Sequence, residues 1–202
     1  MIELSKNFLL GEGGERFVYI HPEDNSKVIK VLKPELKKHN FQNELEFKYY
    51  TFLYKKRIDF SHIVKCFGNI DTNLGKGLIF ERVVDFDGQD SKYFKYYLKQ
   101  NIFTQIQEEE LLSELKIFLE NNEILFIDCN TQNVFCKRVS VDKYTLVIYD
   151  GLGARRDNIK LKLYMGIRLY TKYKIKKQWK LFIKNCQKAK NSTLKKHFED
   201  IL

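Results

Sequence analysis

In the first ninety residues the apolar positions fall into short runs around one longer helical stretch. Phe17-Val18-Tyr19-Ile20 and Lys27-Val28-Ile29-Lys30-Val31-Leu32 are β-branched or aromatic runs. The turn chemistry of residues 21–26 between them predicts a hairpin. Residues 35–57 lack Gly and Pro. Leu36, Phe41, Leu45, Tyr49, Phe52 and Leu53 recur there near a helical period, which predicts one helix. Residues 63–70 and 77–84 read as two more strands, with a turn over 73–77.

Further on the rhythm becomes helical. Residues 93–99 suit a short helix. Residues 108–121 suit a longer one, with Glu108, Glu109 and Glu110 placed for the helix dipole and Leu111, Leu112, Leu115, Phe118 and Leu119 as its apolar stripe. Residues 124–127, 133–136 and 144–149 read as short strands between polar loops. In the last segment Ile159, Leu161, Leu163, Met165, Ile167 and Leu169 alternate, which favours a strand by period. Ile175, Trp179, Phe182, Ile183 and Cys186 fit one helical face, and a final short helix is expected over 194–202.

Composition sharpens this outline. The chain has 202 residues, enough for one large domain or two small lobes. Its 44% hydrophobic content with only 2 prolines excludes a disordered chain. The formal charge of +10 is unevenly placed. Residues 151–202 hold 15 Lys or Arg against 3 Asp or Glu, a net of +12, so residues 1–150 carry a net of −2. Cys66, Cys129, Cys136 and Cys186 form no CxxC pair, and no leader or membrane-length apolar run is visible. A reduced, cytoplasmic protein without a transmembrane segment is the expectation.

Four pieces carry candidate chemistry. The first is Gly11-Glu12-Gly13-Gly14, where glycines between strands let a backbone approach phosphates. It is neither a Walker A loop nor a dinucleotide fingerprint. The second is Lys30, a cation inside an apolar strand that needs an anion; Glu44 and Glu46 are the candidates. Tyr49 and Tyr50 at +3 and +4 favour Glu46. The third is Asp128-Cys129-Asn130-Thr131-Gln132-Asn133. An Asp there can accept a proton, and an Asn five residues on can offer its oxygen to a metal ion. The fourth is Asp150-Gly151, a carboxylate ending an apolar strand.

This order resembles the protein-kinase-like fold. Within it, the HPED turn of 21–24, the Val28–Val31 strand, Glu46-Phe47-Lys48-Tyr49-Tyr50, Asp85-Phe86-Asp87-Gly88 and Gln132-Asn133-Val134-Phe135-Cys136 resemble the YrbL family, bacterial proteins named for a PhoP regulatory network. The likeness spans residues 10–183. It implies an α+β, two-lobed kinase-like fold: an N-lobe over 1–84, a shortened, mainly helical C-lobe over 85–202, and the basic tail 151–202. It further implies ATP and Mg²⁺ as ligands. Gly11, Gly13, Gly14 and Val18 would lie over the nucleotide. Lys30 would contact the α and β phosphates and pair with Glu46. Glu81 and Val83 would offer hinge backbone groups to adenine. Asp128 would be the catalytic base, with Asn133 and Asp150 on the metal.

Several positions depart from the kinase pattern. Phe126-Ile127 precede Asp128 where His-Arg or His-Gly is usual, and Asn130 stands two after it. Arg16 replaces the third loop glycine, the glycine after Asp150 comes one position early, and no Ala-Pro-Glu segment follows. The implied function is a phosphotransferase acting on a protein or small molecule. The alternative is a catalytically weak or inactive regulatory module. An acidic acceptor or protein partner would suit the basic tail. Nucleic acid or an anionic membrane on that tail is a lower reading, because its apolar residues share a packing face.

Overall fold

The computed structural model describes residues 1–36, 42–153 and 158–199. Phe41, placed above in the first helix, lies outside them, as do residues 200–202 of the expected final helix. The chain divides into two units, 1–60 with 64–83, and 61–63 with 84–202.

The first unit is built on an antiparallel sheet of five strands in the order β1-β2-β3-β5-β4. The strands are β1 (Leu9–Glu12), β2 (Arg16–His21), β3 (Asp24–Leu32), β4 (Cys66–Thr72) and β5 (Gly75–Glu81). The β2–β3 turn is tighter than the sequence suggests, because pairing continues to His21 opposite Asp24. Asp24 Oδ1 accepts from the Ser26 amide at 2.9 Å, and His21 Nδ1 accepts from the Glu23 amide at 3.2 Å. β4 begins at Cys66, three residues later than expected.

Val28 to Val31 are all buried, so the centre of β3 is covered on both faces. Ile29 and Val31 join Leu4 and Tyr19 in a core on one face. Val28 and Lys30 face the other way, and Lys30 there meets Glu46 of helix α1 (Gln42–Lys55). On α1 the buried residues are Glu46, Tyr49, Tyr50 and Leu53. That i, i+3, i+4, i+7 spacing is one helix face.

The second unit holds a three-stranded sheet in the order β6-β7-β8: β6 (Lys92–Tyr93), β7 (Val134–Arg138) and β8 (Tyr144–Ile148). Around it run α2 (Phe94–Gln100), α3 (Gln105–Asn121), α4 (Asn158–Gly166) and α5 (Arg168–Glu199). α3 starts earlier than its acidic run because Thr104 and Gln107 form a capping box. Residues 61–63 complete the sheet edge: Ile63 bridges Ile148, and the Ile148 amide donates to the His62 carbonyl at 2.8 Å.

Three expectations are corrected. Residues 159–166 form helix α4, not a strand. With every second residue apolar, a helix distributes those residues around its girth, so Leu161 and Tyr164 are buried while Ile159 and Leu163 are exposed. Residues 124–127 are not a strand and make only the single bridge Phe126 to Leu152. The expected final short helix is instead the end of α5, which continues to Glu199 without a break. Within α5, Ile175, Phe182, Cys186 and Ala189 are buried, and Phe182 meets Phe126 with ring centroids 5.5 Å apart.

Candidate functional site

In the first unit, strand register gathers the candidate residues before any side chain is considered. Gly11 on β1 lies opposite Val18 on β2, and Val18 lies opposite Lys30 on β3. Directly opposed residues of antiparallel strands project from the same face. Gly11, Val18 and Lys30 therefore form one row across the sheet. Lys30 is opposite Leu78 on β5, and its ammonium stands 4.2 Å from the centroid of the Phe80 ring.

Lys30 is 2% exposed, so its charge is largely desolvated. Its Nζ lies 3.4 Å from Glu46 Oε1. Glu44 is exposed, off the buried face of α1. The carboxylate of Glu46 holds a second cation as well: Arg16 Nη1 pairs with Glu46 Oε2 and donates to Asn43 Oδ1 at 3.2 Å. Arg16, Lys30 and Glu46 are all buried. Sequence reasoning missed this role of Arg16 and treated it only as a lost glycine. The signal was slight: an arginine opening an otherwise apolar strand.

The glycine-rich turn closes through the Gly13 amide, which donates to the Arg16 carbonyl at 2.8 Å. None of Gly11, Gly13 and Gly14 has a positive φ. A Cβ would meet nothing within 4 Å at Gly11 or Gly14, and only the Arg16 carbonyl at 3.5 Å from Gly13. The packing of this unit does not itself require glycine there. Glu81 ends β5, with its amide donating to the Lys65 carbonyl at 2.9 Å, and Val83 is buried at the end of the unit.

In the second unit, Gly151 draws two loops together. The amides of Ile127 and Asp128 both donate to its carbonyl, at 2.9 and 3.0 Å. Asn133 Nδ2 donates to the Asp128 carbonyl at 2.9 Å. That contact commits the donor end of the amide to the loop and leaves its oxygen as the acceptor end. Asp150 Oδ1 accepts from the Gly151 amide at 2.8 Å, and the Tyr149 amide donates to the Asn133 carbonyl at 3.1 Å. Asp128, Asn133 and Asp150 thus belong to one hydrogen-bonded knot.

α5 holds that knot from behind. Asn185 Nδ2 donates to the Cys129 carbonyl at 2.8 Å, and Gln178 Oε1 lies 3.6 Å from Cys129 Sγ. The two side chains are seven residues apart, two helical turns on one face. These contacts were invisible in the sequence, because amides on a lysine-rich helix look like solvated positions. A third unforeseen feature is the clamp on Asp85 and Asp87. Buried Asp85 accepts from Ser91 Oγ at 2.5 Å, from the Arg138 amide at 3.0 Å and from Arg138 Nε at 2.9 Å. Arg138 also pairs with Asp87. Asp85-Phe86-Asp87-Gly88 was legible as a motif, but its partner some fifty residues on was not.

Among the described residues, no three His, Cys, Asp or Glu side chains cluster to hold a metal ion. A carboxylate such as Asp150 and an amide oxygen such as that of Asn133 are donors of the kind Mg²⁺ takes, and such an ion would complete its shell with water and substrate phosphates.

Comparison with known proteins bears on the fold and the family. The chain is similar to Rad53 (residues 1–466) in complex with AMP-PNP, with a TM-score of 0.53 at 13% identity, covering 71% of this chain and 37% of that one. It is also similar to a mutant of the PknI kinase domain of Mycobacterium tuberculosis, with a TM-score of 0.48 at 16% identity, covering 74% and 60%. The chain therefore spans only part of the length of these proteins, and what is shown is the fold, α+β and kinase-like. In sequence it is 32% identical over 155 residues to proteins named "Uncharacterized protein YrbL" in Escherichia coli (strain K12) and Shigella flexneri, covering 76% of this chain and 74% of each relative. The model of the family "PhoP regulatory network protein YrbL" matches residues 2–187, and the chain belongs to that family.

Proposed function

We propose that this protein binds ATP with Mg²⁺ and transfers a phosphoryl group to a protein or small-molecule acceptor. The observation that supports the reading is the knot around Gly151, which joins the loops of Asp128, Asn133 and Asp150 at one glycine. A kinase-like neighbour in complex with AMP-PNP supports nucleotide binding.

Each residue has a part in this reading. Lys30 binds α- and β-phosphate oxygens, and Glu46 keeps its ammonium in place. Gly11, Gly13 and Gly14 let the backbone of the first turn come close to the phosphates, and Val18 packs beside the base. The backbone of Glu81 and Val83 pairs with adenine. Asn133 and Asp150 would hold Mg²⁺, which when bound neutralises charge on the transferring phosphate. A carboxylate oxygen of Asp128 takes the proton of the acceptor hydroxyl. Thermal unfolding with and without Mg-ATP tests binding: at about 100 times Kd, the nucleotide adds about 2.7 kcal/mol. An unchanged melting temperature at millimolar Mg-ATP overturns the proposal.

A second reading rests on Phe126-Ile127 and Asn130, which place no cation beside Asp128 in the loop. In it the protein binds nucleotide and acts as a regulatory module with weak transfer. Transfer of labelled phosphate to candidate acceptors, measured on protein that binds ATP, separates the two.

A further inference from the structure

α4 and the start of α5 expose several apolar side chains. Leu161 and Tyr164 bury one face of α4. Ile159, Leu163 and Ile167, at i, i+4 and i+8, lie on another face and are exposed, Ile159 at 67%. Helical hydrogen bonding runs through the joint between the helices. The Ile167 amide donates to the Leu163 carbonyl at 2.9 Å, and the Thr171 amide donates to the Ile167 carbonyl at 3.0 Å. Just beyond the joint, Leu169 is 82% exposed, and Tyr170 and Tyr173 are exposed with it. Single exposed apolar residues need no explanation, but six within fifteen positions are a local excess, even with the Tyr170 ring also stacked on Tyr164 at 5.4 Å.

The charge along this segment has one sign, though carboxylates from α3 and its C-terminal turn meet it at Arg168 and Lys190. From residue 158 to residue 198 the chain has 13 Lys or Arg and no Asp or Glu. Lys162, Lys172, Lys176 and Lys177 are exposed. Glu123 pairs with Arg168 from outside the segment. A nucleic acid would match the cations but not four exposed aliphatic side chains. An anionic bilayer matches both: aliphatics enter the acyl boundary, tyrosines sit at headgroup depth, and lysines meet lipid phosphates and carboxylates. Among the described residues no helix is long and apolar enough to cross a membrane, so the contact would be made at the surface.

We propose that the α4–α5 joint docks this protein on anionic lipid surfaces. The full chain is sedimented with vesicles of phosphatidylcholine, either pure or mixed with phosphatidylserine. Binding to the mixed vesicles, with little to the pure ones, is expected. Ile167→Ser with Leu169→Ser, both at exposed positions, is expected to weaken that binding about tenfold or more while leaving thermal unfolding unchanged. Failure to bind the mixed vesicles overturns the proposal. So does vesicle binding that resists the double substitution and is abolished by competing duplex DNA, which would make the surface a generic polyanion site.

Discussion

A Cβ placed on Gly151 would lie 2.8 Å from the Cβ of Asp128 and 2.8 Å from its carbonyl oxygen. The same atom would meet Asn133 Nδ2 at 3.0 Å, and Gly151 has φ +84. Sterics and backbone conformation both demand glycine here. Gly151→Ala is expected to cost about 1–2 kcal/mol from the left-handed backbone alone. It should cost more once the Asp128 loop is pushed away, and ATP affinity should fall. Urea denaturation and calorimetry with Mg-ATP measure the two effects.

Asp150→Asn and Asp128→Asn should separate binding from chemistry. The first is expected to abolish Mg-dependent ATP binding in calorimetry. The second should leave ATP binding intact and slow phosphotransfer by roughly 10²–10⁴-fold, the contribution of a general base. Equal loss of ATP binding in both variants contradicts the assigned roles.

Two buried cations share the Glu46 carboxylate, Lys30 and Arg16. Removing the shared partner should hurt more than removing either cation. Glu46→Gln is expected to destabilise by about 3–5 kcal/mol, the usual cost of breaking a buried pair. Arg16→Met should cost less, since Glu46 keeps Lys30. Denaturant midpoints of the two variants give the order directly.

Among the described residues Asn185 reaches the candidate site through the Cys129 carbonyl, which makes it a positioning residue. Asn185→Ala deletes that 2.8 Å hydrogen bond, and a loss of about 1 kcal/mol is expected. Phosphotransfer should slow by more than ATP affinity falls, because the Cys129 carbonyl adjoins Asp128. A purely structural role would leave the rate untouched.

All four cysteines are buried, and none is in a disulfide. Burial pushes the Cys66 thiol up to about 11 from its ordinary 9.0, and raises Cys136 and Cys186 as well. In the unfolded chain these thiols ionise first as pH rises. Their contribution to stability is complete below pH 9 and, for Cys66, is lost as pH climbs toward about 11. Urea midpoints at increasing pH should fall across that window. The fall should be shallower in Cys66→Ala.

Features that depend on local pattern were legible along the chain. The β2–β3 hairpin, the helical face bearing Glu46 and the order of the glycine turn, Lys30, Asp128, Asn133 and Asp150 could all be read there, because strand alternation and helical period are local. Features that depend on distant partners emerged only on folding. Packing placed Arg16 on Glu46, thirty residues away, and Arg138 on Asp85, fifty-three residues away. It turned the alternating segment after residue 158 into a helix, since among the described residues no strand pairs with it and burial of Leu161 and Tyr164 rewards a helical spacing. It also put two amides of the basic tail behind Cys129. A side chain's charge and size are written in the sequence, but its desolvation and its partner are set only when remote segments pack against it.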